Sequence, residues 1–254
     1  QWFATKFPSP APFPVRLAVD TGMGRIGCLP DEAAEQAKLI AYSACLALEG
    51  MGTHFAVSDS LLTENIEFTK KQFAGFTRAV ESVKAAGIGP KICHAGASAV
   101  ILSHADFHLD MVRPGIITYG YYPDEITREY LAERNIDIDL KPVMQFETRV
   151  SAIRHFKKGQ SVSYGRTWKC ESDTDIAVLP VGYADGLLRR FSPGLKVAIN
   201  GRAYPVVGRI CMDQCMVDIG KDNGEVRVWD RVVIFGPAAP ALQSAEALAE
   251  IGNT

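Results

Sequence analysis

A change of hydrophobic pattern near residue 138 constrains the fold of this chain more than any other feature. Before it, short apolar runs at 15–20 and 91–93 alternate with stretches of helical periodicity. One such stretch carries four apolar residues on a single 3.6-residue face: Phe73, Phe76, Val80 and Val83. Alternating strands and helices predict a parallel sheet with crossover helices. We therefore expect two domains, an α/β domain over 1–138 and a mostly antiparallel β domain over 139–254.

Cap and turn residues set the expected limits of the α/β elements. A helix begins at Pro30, with acids in its first turn, and is predicted to run through Leu46. The second helix is predicted to stop near Gly87, and a further strand is predicted over 115–119. At roughly 30 residues per strand–helix unit, this half holds only about four units, fewer than an eight-fold barrel requires.

Beyond residue 138 the chain changes to short strands. Apolar and polar residues alternate from Met144 to Ala152, as in a half-buried antiparallel strand. Asn200-Gly201 is a preferred hairpin turn, because both of its positions need positive φ. The remaining elements are predicted as strands over 216–219, 225–229 and 231–235 and a final helix that begins near Ser244, after Pro240.

Composition and charge exclude several classes of function. The chain has 27 Lys and Arg against 29 Asp and Glu, so no positive excess exists to bind a nucleic acid or an anionic membrane. No apolar stretch approaches the roughly 20 residues of a membrane-spanning helix, and Gln1–Lys6 lacks the pattern of a signal peptide. The six cysteines form no CxxC motif, which favours free thiols in a reducing cytoplasm. The five histidines lack the spacing of a metal-ligand pair, so no metal site is expected.

Two segments of the α/β half combine strand ends with ionisable residues. In 20–27, three glycines allow close approach to a ligand, and Arg25 can hold a carboxylate in a bidentate fork. His54 follows an apolar strand, where α/β enzymes place their chemistry. A solvated arginine on a Gly-rich turn and a packed core histidine are the commoner alternatives for these two residues.

A third segment pairs His94 and Ser98 with a later stretch, Arg113 to Ile116, at two successive strand ends. Small residues there can offer backbone N–H groups to a phosphate, as the late strands of barrels do. Arg113 is set among apolar residues and needs a partner if it is buried. A surface arginine between strands is the equally supported alternative.

The β half contains three polar turns, 163–165, 182–186 and 208–214. A tyrosine acts as a general base only where cations or hydrogen bonds lower a phenol pKa of about 10, and simple packing is the usual role of a turn tyrosine. Cys211 and Cys215 lie an even number of residues apart, so a regular strand would place them on one face. Core packing is favoured over a metal pair for these thiols.

Taken together and in this order, these segments closely resemble the alanine racemase family. The resemblance covers nearly the whole chain and rests on five stretches: 20–27, 111–120, 163–167, 180–190 and 208–213. It implies the second half of a (β/α)8 TIM barrel that binds pyridoxal 5′-phosphate (PLP), followed by a C-terminal β domain. This also accounts for the small number of strand–helix units.

The resemblance implies roles for individual residues. Tyr164 would be the general base on one face of the substrate Cα, with His54 hydrogen-bonded to it. Arg113 would face the pyridine nitrogen of PLP, supported by His94. The remaining implied contacts are Ser98, Gly115 and Ile116 to the phosphate, and Arg25, Met212, Tyr183 and Asp213 to the substrate or its entrance. In the family the tyrosine and the methionine come from the other subunit, which implies a head-to-tail homodimer.

Three positions depart from the family pattern. The Schiff-base lysine of the family lies in a Lys-Ala-Asn-Ala-Tyr-Gly-His-Gly type of segment, which this sequence does not contain. Ala18 occupies the position of a lysine that is often carbamylated, so Arg25 would need another anion, such as chloride, to orient it. Ala97 stands where an asparagine usually precedes the phosphate serine.

The resemblance implies a bacterial, cytoplasmic enzyme that interconverts L- and D-alanine by two-base proton transfer and supplies D-alanine for peptidoglycan. A racemase for serine or another small amino acid is the alternative enzyme. A noncatalytic PLP-binding remnant is the alternative of another class, because the Schiff-base lysine is missing from the sequence. The sequence argues against such a remnant, because it keeps four residues together that packing alone does not require: Tyr164, His54, Arg113 and Arg25.

Overall fold

The computed structural model describes residues 11–221, 224–237 and 244–253, so the predicted features at Gln1–Lys6 and Pro240 lie outside the described residues. The chain divides into two compact units between Lys141 and Pro142, which we call the α/β unit and the β unit. The boundary expected near residue 138 lies just before this division. Each unit contains its own hydrophobic core.

The α/β unit contains a three-stranded parallel sheet in the order β1-β2-β3. The strands are β1 (Phe13–Ala18), β2 (Leu46–Gly52) and β3 (Ile92–His94). The helices are α1 (Ala33–Ala41), α2 (Thr63–Ala85), α3 (Ser98–Ser103) and α4 (Arg128–Ala132), with 3-10 turns at Pro30–Glu32, Ala105–Phe107 and Ile116–Tyr119. The prediction of a parallel sheet with crossover helices is confirmed.

Helix α2 joins the sheet through its apolar face. Phe76 and Val83 of α2 are buried in one cluster with Met51 of β2. The helix ends in a Schellman arrangement: Gly87 has φ +78°, and the N–H of Ile88 donates to the carbonyl of Val83 at 3.2 Å. The predicted stop near Gly87 is confirmed, because glycine adopts positive φ without steric cost.

Two predictions for the α/β unit are wrong. The first helix ends at Ala41, and Leu46 opens strand β2, where it pairs with Phe13. The segment 115–119 is a 3-10 turn, not a strand. Its β-branched residues favour a strand, but the turn closes through a Thr118 hydroxyl that donates to the carbonyl of Gly115 at 2.7 Å, and Gly120 follows at φ +82°.

The β unit is built on a seven-stranded antiparallel sheet in the order β4-β12-β9-β10-β11-β8-β5. Its strands are β4 (Phe146–Arg149), β5 (Ala152–Phe156), β8 (Thr174–Leu179), β9 (Lys196–Ile199), β10 (Arg202–Val207), β11 (Cys215–Gly220) and β12 (Arg231–Phe235). A separate pair is formed by β6 (Ser161–Val162) and β7 (Trp168–Lys169), and helix α5 spans Ala245–Gly252. The hairpin turn is confirmed, with φ +50° at Asn200 and +79° at Gly201.

Three details of the β unit differ from the prediction. The expected strand from Met144 to Ala152 is divided between β4 and β5. Residues 225–229 form a turn, because the Asp230 carboxylate accepts the Arg227 N–H at 2.8 Å and bends the chain. Cys215 opens β11, whereas Cys211 lies in the preceding turn, so the two thiols do not share one regular strand.

Candidate active site

The carboxyl ends of the three parallel strands open into one cleft of about 180 Å³. This edge is where α/β proteins generally bind their ligands. The cleft is lined by residues of the three strand ends and the adjoining loops: Arg16, Leu17, Ala18, Val19, Asp20, Met23, Arg25, Ile26, Gly52, Thr53, His54, His94 and Arg113. The structure therefore brings together Arg25, His54, His94 and Arg113, four of the residues singled out in the sequence.

A glycine at the end of β2 makes room for His94. Gly52 pairs with His94 in the parallel register of β2 and β3. A Cβ atom at residue 52 would lie 2.1 Å from Cε1 of the His94 ring. Only glycine therefore allows the imidazole to lie against the backbone of the neighbouring strand.

Arg113 joins the strand ends through its guanidinium. Nη2 lies 3.2 Å from Nδ1 of His54, 2.9 Å from the carbonyl oxygen of Thr53 and 3.1 Å from that of Ala95. Nη1 contacts Nδ1 of His94. Arg113 is half-buried, and these four acceptors are the partners that its desolvated guanidinium requires, so a freely solvated surface arginine is excluded.

The same contacts set the electrostatics of the cleft. Burial, and next the charge of Arg113, lowers the pKa of His94 to about 4. Burial, then Arg113 and Arg25, lowers the pKa of His54 below its ordinary value. Both imidazoles are therefore neutral at pH 7, and their Nδ1 atoms accept hydrogen bonds from the arginine.

Arg25 lies on the loop that follows strand β1 and folds back against the end of that strand. Asp20 accepts the N–H groups of Gly22 and Gly24 at 2.9 and 3.0 Å, and these bonds lower the pKa of its carboxyl. Gly27 closes the loop: a Cβ there would lie 2.7 Å from the backbone nitrogen of Asp20. The exposed Arg25 thereby lines the same cleft as His54 and Arg113.

Ser98 and Gly115 meet beside this cleft. The hydroxyl of Ser98, at the start of α3, accepts the Gly115 N–H at 2.9 Å. Arg113 is tied to the same loop, because its N–H donates to the carbonyl of Gly96 at 2.9 Å. Ile116, the third residue of the predicted phosphate site, is half exposed at the start of the 3-10 turn.

In the β unit, Tyr164 lies on a strained turn. Its neighbours Ser163, Gly165 and Arg166 all have positive φ. The turn is held because the Ser163 hydroxyl donates to the carbonyl of Arg209, and Gly208 approaches so closely that a Cβ would lie 2.7 Å from Cβ of Ser163. The Tyr164 side chain is 68% exposed, so packing within its own unit does not account for its position.

Tyr183 and Met212 lie on two turns that are bonded to each other. The N–H of Tyr183 donates to the carbonyl of Cys211 at 3.0 Å, and that of Ala184 donates to the carbonyl of Met212 at 3.0 Å. Met212 and Asp213 are exposed, and Tyr183 is 40% exposed. The β unit thus presents four of the predicted residues, Tyr164, Tyr183, Met212 and Asp213, on adjoining turns.

Sequence reasoning missed two residues of the cleft. Arg16 lines it and pairs with Glu49 at 3.2 Å, and the carbonyl of Thr53 accepts from Arg113. Strand alternation could have found Arg16, because residues 16 and 18 of β1 point to the same side. Nothing in the sequence signals a backbone carbonyl as a partner.

Two kinds of feature are absent from the part of the chain that the structure describes. Within the described ranges, no three His, Cys, Asp or Glu side chains lie close enough to hold a metal ion. Likewise, none of the helices described has the length and apolar character needed to cross a membrane. All six cysteines are free thiols.

Comparison with known proteins relates both units to one family. The family model for the N-terminal domain of alanine racemase matches residues 2–123, and that for its C-terminal domain matches residues 143–254. The alanine racemase of Treponema denticola is 48% identical over 243 residues, which cover 94% of this chain and 62% of the relative. The chain therefore spans about six-tenths of the length of the curated relatives it matches.

Solved structures agree with this assignment. Alanine racemase from Clostridium difficile 630 superposes with a TM-score of 0.85 at 35% identity, covering all of this chain and 62% of the solved one. Alanine racemase from Bacillus anthracis with bound L-Ala-P gives 0.85 at 31% identity, covering 100% and 63%. The fold and the site thus define a chain with part of a (β/α)8 barrel followed by an antiparallel β domain, which confirms the predicted fold class. The chain belongs to the alanine racemase family.

Proposed function

We propose that this chain is part of a PLP-dependent racemase that interconverts L- and D-alanine. The observation that carries the proposal is the contact of one guanidinium, Arg113, with the Nδ1 atoms of two neutral histidines at the strand ends. Family membership supplies the reaction, because the named relatives are alanine racemases.

The residues at the cleft suit PLP. The Ser98 hydroxyl accepts the Gly115 N–H at a strand end, which leaves the hydroxyl proton to be donated to a phosphate. Arg113, a donor without acceptor capacity, matches an unprotonated pyridine nitrogen. When bound, PLP withdraws electrons from the substrate and so makes its Cα–H acidic.

The chain's own groups then have distinct tasks. Arg113 disfavours protonation of the pyridine nitrogen, since a like charge beside it would be repelled. Arg25 and the backbone of Met212 hold the substrate carboxylate, and Tyr164 removes or returns the proton on one face of Cα. No lysine is found among the described residues that line the cleft, and the second base is assigned to none of them.

A shared active site is part of the proposal. Tyr164 and Met212 would act on the cleft of a second subunit, in a head-to-tail homodimer. The exposure of both side chains supports this, because each is open to contact from another copy. A cytoplasmic location, supported by the six free thiols, and a supply of D-alanine for peptidoglycan complete the proposal.

The test is a racemisation assay on the full-length, PLP-loaded protein with a panel of small amino acids. Interconversion of L- and D-alanine at a higher kcat/KM than serine is the expected result. A higher kcat/KM for serine would show that serine, and not alanine, is the preferred substrate. Absence of any racemisation would overturn the proposal. Borohydride reduction followed by peptide mapping identifies the lysine that carries the cofactor.

A further inference from the structure

Gln72 is a buried amide of helix α2 for which the proposed reaction has no role. Its side chain is 1% exposed. Its Oε1 accepts the Ala56 N–H at 3.0 Å, and its Nε2 lies 3.3 Å from the carbonyl oxygen of His54 and 3.3 Å from Oγ1 of Thr21. Because only the oxygen of the amide can accept the Ala56 N–H, these partners fix its orientation.

The partners of Gln72 belong to two separate segments of the chain, each of which contributes residues to the cleft. Thr21 belongs to the loop that carries Arg25, whereas His54 and Ala56 follow strand β2. Oγ1 of Thr21 also lies 2.8 Å from Oγ1 of Thr53. Since Nε2 of Gln72 donates to the Thr21 hydroxyl, the proton of that hydroxyl is available for Thr53.

Helix α2 also supports the loop by packing. Gly22 has φ +136°, and a Cβ at this position would lie 2.7 Å from Cζ of Phe68 and 3.6 Å from Nε2 of Gln72. The backbone of the loop therefore rests directly on the helix face that holds Phe68 and Gln72. A buried amide whose donors and acceptor are all hydrogen-bonded favours a single arrangement of the segments that it connects.

We propose that Gln72 is a positioning residue that fixes the Arg25 loop relative to His54 and Arg113. Arg25 would hold the substrate, and His54 and Arg113 would set the reacting end of the site, so the inference rests on the proposed function. The Thr21–Thr53 contact extends the link, because the Thr53 carbonyl accepts from Arg113 at 2.9 Å. Small displacements between groups positioned in this way are costly to catalysis.

The kinetic test compares four variants of the full-length, PLP-loaded enzyme. Gln72→Leu and Thr21→Val, which each break the link, are expected to raise KM for alanine and lower kcat, with kcat/KM falling about tenfold or more. Thr21→Ser keeps the hydroxyl and is expected to restore wild-type values. Thr69→Val is the matched control, because Thr69 is buried on the same helix and its hydroxyl has no partner among the described residues.

A second measurement does not depend on activity. Burial and nearby charge hold the pKa of His54 below 6.5, so a loosened strand end is expected to move it upward in Gln72→Leu and not in Thr69→Val. Side-chain NMR of labelled histidine reports this titration, with His54→Gln to assign the signal. If the wild-type protein has no racemase activity but the His54 pKa still differs between Gln72→Leu and Thr69→Val, the proposed function is refuted and the positioning role of Gln72 is retained.

The proposal is overturned if folded Gln72→Leu keeps the wild-type kcat, KM and His54 titration. A loss of stability with unchanged kinetic constants per active site would also overturn it, because it would show a structural role alone. If Gln72→Leu does not fold, the comparison of Thr21→Val with Thr21→Ser tests the proposal. Equal kcat and KM for Thr21→Val and Thr21→Ser would then refute the link.

Discussion

Nη2 of Arg113 lies 3.2 Å from Nδ1 of His54, and the other terminal nitrogen of the same guanidinium contacts Nδ1 of His94. An arginine only donates hydrogen bonds, so neither Nδ1 atom carries a proton. The proton of each neutral imidazole is therefore on Nε2. One arginine thus sets the tautomer of two histidines at the strand ends.

Stability is expected to depend on pH through His94. Its pKa is about 4 in the folded state and 6.5 ordinarily, so the unfolded state binds more protons between these values. Stability should therefore fall as the pH is lowered from 6.5 towards 4. Urea unfolding should show a shallower fall for His94→Asn, since both proteins share the titration of their carboxylates. Identical pH dependence would show that His94 is not held neutral.

Arg113→Lys is expected to lose both stability and activity. A lysine lacks the planar fork that reaches four acceptors, and leaving buried acceptors unpaired costs about 1–3 kcal/mol each. The free energy of unfolding and kcat/KM measure the two effects. Arg231→Lys, at an exposed pair with Glu147, is the control and should change the free energy of unfolding by less than about 1 kcal/mol. Equal changes of the free energy of unfolding and of kcat/KM in the two variants would show that Arg113 does not hold the site together.

Ser98→Ala is expected to weaken binding of PLP about tenfold, the loss of one hydrogen bond to a charged group. Binding of pyridoxal, which has no phosphate, should be unchanged. Fluorescence titration of both ligands makes the comparison. Ser103→Ala is the control, because that hydroxyl donates to Ala99 within the same helix at 2.7 Å. An equal loss for PLP and pyridoxal would place Ser98 away from the phosphate.

Tyr164→Phe is expected to abolish proton abstraction from L-alanine while leaving PLP bound. The phenol oxygen is the proposed proton acceptor, and its removal leaves the ring and the turn in place. Exchange of the Cα proton in deuterated water measures each direction separately, and the absorbance of the bound cofactor provides the control. Retained racemisation in both directions would refute the assignment.

Gly182→Ala is expected to destabilise the β unit and disturb Met212. A Cβ at residue 182 would lie 2.2 Å from the carbonyl oxygen of Met212, so the turn must move, at a cost of about 1–3 kcal/mol. Gly224→Ala is the control, because a Cβ there meets nothing within 4 Å. Thermal unfolding and KM for alanine test both variants, and wild-type values for Gly182→Ala would contradict the close packing of these turns.

The sequence by itself determined the order of the two domains and those local elements that depend on neighbouring residues. Hydrophobic period and cap residues were sufficient for helix α2, its stop near Gly87 and the hairpin at Asn200-Gly201, because these depend on neighbours in the chain. The motif order was sufficient to identify the family, and with it most of the residues that meet at the cleft. The predicted strand at 115–119 failed, because side-chain and glycine contacts of a turn outweighed β propensity.

Only the tertiary structure decided which groups complete the site. The carbonyl of Thr53 that accepts from Arg113 is 60 residues away along the chain, and Gln72 is 51 residues from its partner Thr21. The parallel register of the three strands brings their ends to one edge, and helix α2 holds Gln72 against the segments that follow two of these strands. A buried hydrogen bond forms between whichever donors and acceptors that register makes adjacent, and no local pattern in the sequence records such a pairing.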